Sequence, residues 1–384
     1  MFINNPLYII AFLLLLVVFA EWLGQQKFFN KIGSSLLVII AGAVVANFHL
    51  IPSSQNASPV YDGIFTYIGP LAIFYLLLDV KLKDIKLAGI PMLLMFSIGA
   101  FATIAGILIG YHFIEPQNHG IQKAFAVAGM YTGTYIGGSA NLNAIALQYE
   151  VTKNGTLFAA INAADNIITT VWIILTMAIP PILQRYFPRK KLTTQTTLST
   201  QPAVIPVGAT NEKVTVIGFS LLLALGVASM FLSNFISGYL PAIPSILILT
   251  TIALLLAQVG HLQKVKGGKI LGFLFVLLFL AVVGAYCDLA ALIANKEIAI
   301  TLLIWVTVVV FVHGLFIFSV GAIFKQDWYL VSIASNANIG GATSAAVLAT
   351  SFNRSDLRLP GILVGSIGNA LGTYLGIMVA EYLK

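Results

Sequence analysis

The sequence predicts an all-α membrane protein whose ten transmembrane helices form two inverted repeats of five, each repeat carrying a re-entrant helical hairpin. Three observations lead there. Apolar residues make up 59% of the 384-residue chain and charged residues 9%, with a mean hydropathy of +0.97, whereas a water-soluble domain carries about 25% charged residues. Apolar runs of about 20 residues, the length that crosses hydrocarbon, recur across the chain. Two further segments, at about 121–150 and 328–352, are broken by Gly, Ser and Asn inside otherwise membrane-like sequence.

Taken in order, the apolar runs fall near 6–24, 33–51, 62–80, 88–113 and 155–184, and then near 214–236, 241–258, 270–287, 297–323 and 358–382. Between the two sets lies Arg185 to Lys213, rich in Thr, Pro and Lys. The predicted organisation is therefore a first repeat over 1–186, a cytoplasmic linker over 187–212 and a second repeat over 213–384. The first run leads into Glu21-Trp22 with no small-residue cleavage site, so it reads as a retained span and not a signal peptide.

Charge decides how the broken segments run. If each dips in and returns on one side, with the N-terminus outside, sixteen of the twenty Lys and Arg residues face inside, leaving Lys123, Lys153, Lys296 and Lys384 outside. If each crosses once, the split becomes nine against eleven and the asymmetry vanishes. Cytoplasmic loops carry an excess of Lys and Arg, so the returning arrangement is favoured. Both termini then lie outside, and five crossings, an odd number, turn the second half over relative to the first. Internal similarity runs the same way: Leu78-Asp79-Val80-Lys81-Leu82 pairs with Cys287-Asp288-Leu289-Ala290-Ala291, Ser139-Ala140-Asn141-Leu142 with Asn336-Ala337-Asn338-Ile339, and Asp165-Asn166 with Gly368-Asn369. Inverted repeats with interrupted helices mark secondary transporters, with the site near the midplane.

The breaks read Gly137-Gly138-Ser139-Ala140-Asn141-Leu142-Asn143-Ala144 and Ser335-Asn336-Ala337-Asn338-Ile339-Gly340-Gly341-Ala342-Thr343-Ser344. Irregular backbone at membrane depth is tolerated only within protein or beside a water-filled cavity. Gly137 and Gly138 suit the end of one leg. Ser139 and Asn141, or Asn336 and Asn338, suit the start of the returning leg as caps. A helix N-terminus offers free N–H donors and partial positive charge to an anion, and the ending legs offer bare carbonyls to a cation. The expected substrate contacts are Ser139, Asn141, Asn143, Asn336, Asn338, Thr343, Ser344 and Asn369. Asp165 lies deep in the apolar run from Phe158, where an unpaired charge costs several kcal/mol. With Asn162 and Asn166 it is the expected cation-coupling group, and a sodium ion would sit at Asp165 and Asn166. His313 reads as a helix-interface residue, and Gly106 and Gly110 as points of close helix approach.

Composition also excludes. Despite a formal charge of +7 the basic residues sit in short loops and not on a soluble face, which argues against nucleic-acid binding. The single cysteine, Cys287, cannot form an internal disulfide, and no Cys/His cluster has zinc spacing. There is no His-Glu-x-x-His motif, no Ser/Lys or paired-Asp hydrolytic arrangement and no soluble domain for a cofactor, so an enzyme is not expected.

The residues Gly138-Ser139-Ala140-Asn141-Leu142-Asn143-Ala144, Ala164-Asp165-Asn166 and Ser335 to Thr343 resemble the YjcL-like family of bacterial integral membrane proteins, a domain of unknown function, over nearly the whole chain. In layout the sequence is more remotely similar to the glutamate:sodium and 2-hydroxycarboxylate symporters. That resemblance implies elevator-type movement of a hairpin-bearing domain against a dimeric scaffold, with Na⁺ or proton coupling. The Gly-Gly-x-Gly tips of those families are only approached by Gly137-Gly138-Ser139-Ala140 and Gly340-Gly341-Ala342-Thr343, and neither hairpin carries an arginine to clamp a dicarboxylate. The expectation is a homodimeric, multi-pass protein of the cell (inner) membrane, embedded in the lipid bilayer. It would be a Na⁺- or H⁺-coupled secondary transporter of a small organic anion or zwitterion: a carboxylate, amino acid or short peptide. The alternative is a Na⁺/H⁺ antiporter using Asp165-Asn166 in a broken-helix core.

Overall fold

Proline, Asn and Ser start the first helices where the sequence places them. α1 (Pro6–Gly24) begins with Pro at its first position, where a missing N–H costs nothing, and the Asn5 side chain accepts from the N–H of Leu7 at 2.9 Å. α2 spans Ser34–Asn47. α3 (Pro59–Leu77) starts on a Ser58 cap and widens into a π turn over Ile64–Ile68, ahead of Pro70, whose ring nitrogen cannot donate to the preceding turn. α4 is Ile90–Ile114.

The first broken segment becomes α5 (Ala124–Gly137) and α6 (Ser139–Gln148), followed by the long α7 (Gly155–Tyr186). The second half repeats the order with α8 (Val216–Tyr239), α9 (Ser245–Ala257), α10 (Gly268–Ala285) and α11 (Lys296–Ile323). Its broken segment is α12 (Trp328–Ile339) and α13 (Gly341–Ser351), and α14 (Ser355–Leu383) closes the chain. The computed structural model describes residues 4–26, 29, 34–53, 56–78, 80, 87–189, 214–240, 243–287 and 296–384. Most of the expected linker, and the paired Asp79 and Asp288, lie outside the described residues.

Among the described residues there is no strand, and eight helices are long and apolar enough to cross a membrane. Of the other two expected spans the described residues form apolar helices, α2 and α9, of 14 and 13 residues. At 1.5 Å per residue they reach about 20 Å, short of the roughly 30 Å of hydrocarbon. α9 starts late because Pro244 occupies its cap position. Leu7, Phe101, Phe113, Val216, Ile217 and Phe231 are exposed on the outer surface while Thr, Asn and His side chains are buried inside. Water would disfavour that distribution and lipid would not. The chain is an all-helical, multi-pass membrane protein.

Inside, helices from the two halves pair antiparallel. Along α4 and α11, Gly99 faces His313, Gly106 faces Val309 and Gly110 faces Trp305; a Cβ on Gly106 would stand 2.9 Å from the Val309 carbonyl oxygen. The expected close approach of Gly106 and Gly110 is therefore a packing contact. α5 runs against α14, with Gly129 facing Gly376 and Gly137 facing Gly368. α12 runs against α7, with the Ser332 hydroxyl donating to the Thr176 carbonyl at 2.7 Å and Trp172 Nε1 donating to Ser335 Oγ at 3.0 Å.

Both broken segments fold back on themselves. Lys123, at the start of α5, donates to the Tyr149 carbonyl at 2.6 Å, just past the end of α6, and the Phe125 and Tyr149 rings meet edge to face at 5.5 Å. In the second hairpin Tyr329 and Phe352 meet at 5.0 Å, and Arg354 joins Asp327 at 2.6 Å and Asp356 at 2.8 Å. The hairpins close at opposite ends of α7 and α14. The base of hairpin 1 adjoins the start of α7 and the end of α14, where Tyr149 donates to Glu381 at 2.8 Å. The base of hairpin 2 adjoins the end of α7, where Trp328 donates to the Phe187 carbonyl at 2.9 Å and Arg189 to the Ala322 carbonyl at 3.1 Å.

Candidate functional site

Each hairpin tip is a one-residue break. At tip 1 the N–H of Gly138 closes α5 on the Thr134 carbonyl at 2.7 Å, and Gly138 then turns with φ 92° and ψ 173°, a conformation that favours glycine. At tip 2 Gly340 closes α12 on the Asn336 carbonyl at 2.9 Å, and Gly341 carries the positive φ, 73°. The expected side-chain caps do not form. Gly138 and Gly340 occupy the cap positions of α6 and α13 and have no side chain to offer, so Ser139 stands one place and Asn141 three places too late to cap, and Asn336 and Asn338 lie on the ending leg α12 and not at the start of the returning one. Ser344 instead donates back to the Gly340 carbonyl at 2.9 Å. Both returning legs thus begin with first-turn N–H groups that no side chain caps, at the positive end of a helix.

The two tips converge on one turn of α14. A Cβ on Gly365 would lie 2.5 Å from Ala342, next to the tip of hairpin 2. A Cβ on Gly137 would collide with the Gly368 carbonyl, and one on Gly138 would stand 3.5 Å from Asn369 Oδ1. Residues 365 and 369 are about one turn apart, so Gly365 and Gly368 let both breaks approach the same stretch of backbone.

The expected contacts distribute unevenly around this point. Ser139 and Thr343 are exposed on the tips, and Asn369 is half-buried beside Gly138. Asn141 is buried and accepts from Thr373 at 2.6 Å, tying hairpin 1 to α14. Asn143 is buried with its Oδ1 unpartnered. Asn336 donates to Thr176 Oγ1 at 2.7 Å and to the Ser332 carbonyl at 3.1 Å, and Asn338 donates to the Phe96 and Ala334 carbonyls, each at 3.1 Å. These two fully buried amides tie hairpin 2 to α7 and α4, and each keeps an unpartnered Oδ1.

Asp165 sits on α7, buried, with Thr134 and Tyr135 of hairpin 1 beside its carboxylate and Oδ1 unpartnered. The Tyr131 hydroxyl is also buried and unpartnered, and the buried Tyr135 hydroxyl lies beside Asp165 and Thr169. Asn162 and Asn166 donate along their own helix, to the Phe158 carbonyl at 3.0 Å and the Asn162 carbonyl at 2.8 Å. Burying polar oxygens without partners costs on the order of 1–3 kcal/mol each, so the cluster is a place where a cation or a donor has something to gain. Among the described residues no group of three His, Cys, Asp or Glu could hold a metal.

Sequence reasoning missed a buried polar chain behind hairpin 2. Trp172 Nε1 donates to Ser335 Oγ at 3.0 Å, Ser335 lies 2.9 Å from His313 Nε2, and His313 Nδ1 lies 3.0 Å from both the Gly99 carbonyl and Thr103 Oγ1. An indole only donates and a carbonyl only accepts, so the imidazole donates from Nδ1 and accepts at Nε2. His313 is the helix-interface residue expected. The signal for Trp172 and Thr176 was their spacing: seven and eleven residues beyond Asp165, they share its helix face.

A cavity of about 550 Å³ lies at the base of hairpin 1 and not at the tips. It opens between Asp62 to Pro70 of α3, Leu147 to Lys153, Met230 to Asn234 of α8 and Ser245 to Leu249 of α9. Hydrogen bonding from Lys153 holds the Glu150 carboxyl below its usual range, so the pair persists at neutral pH and is lost only as acid protonates Glu150. A second cavity of about 360 Å³ is apolar, between α2, α7 and α11.

Over 376 residues, 91% of this chain and 90% of the relative, the sequence is 25% identical to a Bacillus subtilis (strain 168) protein described as uncharacterized membrane protein YjcL. The family described as protein of unknown function (DUF819) matches residues 8–384, and the chain belongs to that family.

Proposed function

We propose that this protein is a cation-coupled secondary transporter that moves a small organic anion or zwitterion across the cell membrane by alternating access. The observation that carries the reading is the meeting of two uncapped hairpin tips on a single turn of α14, beside Asn369. Uncapped N–H groups suit a carboxylate. Asp165, with Thr134 and Tyr135, would hold Na⁺ or a proton as the coupling cation. In this reading the hairpins are re-entrant and enter from opposite sides, and the halves are inverted repeats. Hairpins, α4, α7, α11 and α14, joined by buried hydrogen bonds, would move elevator-like as one unit against a scaffold through which two copies pair as a homodimer, with both termini outside. The opposite placement of the hairpin bases and the antiparallel pairing of α4 with α11 support this arrangement. Purified protein in proteoliposomes should take up carboxylates, amino acids or dipeptides when a sodium or proton gradient is imposed. Uptake of none of them, or uptake indifferent to both gradients, refutes the proposal.

One observation favours a second reading, a Na⁺/H⁺ antiporter: the buried carboxylate oxygen of Asp165 has no partner. Sodium added to acid-loaded vesicles without any solute would then dissipate the pH gradient reported by an entrapped dye. Under the first reading it leaves the dye unchanged until substrate is present.

A further inference from the structure

We infer that the 550 Å³ cavity at the base of hairpin 1 is a recognition vestibule for an ammonium-bearing solute, an amino acid or short peptide zwitterion, which binds there before reaching the tips. The inference rests on the transporter reading and narrows its substrate class, setting simple carboxylates aside.

Three charged side chains line the cavity: Asp62, Glu150 and Lys153. Glu150 and Lys153 pair with each other at 2.5 Å on the hairpin side. The charge that remains is the exposed carboxylate of Asp62 on the facing wall. Asp62 also lies in the first turn of α3, where a carboxylate complements the helix N-terminus; that role needs no cavity, yet Asp62 lines one. The π turn that follows brings Phe65 and Thr66 onto the same wall, and such turns cluster at functional sites. Phe65, Leu147 and Met230 supply apolar surface for a side chain. A cavity with net negative charge, an apolar wall and this volume suits a cationic amine with an apolar body.

The tips have the complementary preference, because uncapped N–H groups suit a carboxylate. A zwitterion satisfies both. The stations are distinct: α6, which joins tip to base, has 10 residues and so spans about 15 Å.

Calorimetric titration of the full chain in lipid nanodiscs tests this with three molecules of matched body: L-leucine, 3-methylbutan-1-amine and 4-methylpentanoate. Leucine and the amine should bind and displace each other, and the acid, even where it binds the tips, should not displace the amine. Asp62→Asn should weaken leucine and the amine tenfold or more, and Asp62→Glu should restore them. Asp165→Asn should abolish gradient-driven uptake while leaving binding of the amine, which carries no carboxylate for the tips, intact; this separates failure of the vestibule from failure of the transporter reading. Displacement of the amine by the acid, absence of amine binding, insensitivity of amine binding to Asp62→Asn, or its loss in Asp165→Asn overturns the vestibule.

Discussion

Asp165 is a buried carboxylate on a helix that also carries Asn162, Asn166 and Thr169 nearby, and one of its oxygens has no partner. Asparagine preserves the shape and removes the charge. If that charge couples transport, Asp165→Asn should lower gradient-driven uptake about 100-fold, the equivalent of roughly 3 kcal/mol. Its thermal midpoint should stay level or rise, because a buried charge is costly to keep. An Asp165→Asn variant that folds and transports normally would make Asp165 a structural residue.

At the level of elements, the hairpins are held shut by unlike devices. Both bases carry an aromatic pair, but hairpin 1 adds a lysine on a carbonyl, whereas hairpin 2 adds Arg354 between two carboxylates, with the Arg354 and Asp327 side chains only 7% and 3% exposed. Breaking a buried pair by removing one partner costs about 3–5 kcal/mol. Arg354→Met should therefore lower the thermal midpoint markedly more than Lys153→Met, whose partner is half exposed. Opposite hairpin entry makes a separate prediction: in a Cys287→Ser background, Lys153→Cys and Asn353→Cys should react with an impermeant maleimide from opposite faces of sealed vesicles. Labelling from one face would remove the inverted arrangement. The breaks themselves were legible in sequence because glycine and side-chain amides have few other reasons to interrupt an apolar run, and segments 121–150 and 328–352 match the two hairpins. The base of hairpin 2 was legible in principle, since Asp327 and Arg354 flank the break at nearly equal distances. The chain from Trp172 through Ser335 and His313 to Thr103 was not, because it draws single residues from four helices and no local pattern joins them. The caps were misassigned because the sequence names the residue types of a tip but not which of them turns: Ser139 and Asn141 fall after the turning Gly138, and Asn336 and Asn338 fall before the break.

At the scale of the whole molecule, the helix that carries both tips meets the wall of the 550 Å³ cavity through a polar contact. α14 carries both tips, and its Tyr374 hydroxyl meets Thr251 of α9 at 2.7 Å and Thr250 at 3.5 Å. α9 in turn lines the vestibule with α3 and α8, on the side away from hairpin 1. If hairpins and α14 travel against that wall, the Thr251–Tyr374 contact must break and reform once per cycle, whereas the Asn141–Thr373 bond between hairpin 1 and α14 must ride along intact. Joining the two sides should therefore stop transport without unfolding the protein. With Cys287→Ser as background, Thr251→Cys and Tyr374→Cys bridged by a short bis-methanethiosulfonate linker should lose gradient-driven uptake and regain it on reduction. A bridged protein that still transports at full rate would mean that α14 and α9 move together, and the sliding surface would have to lie elsewhere.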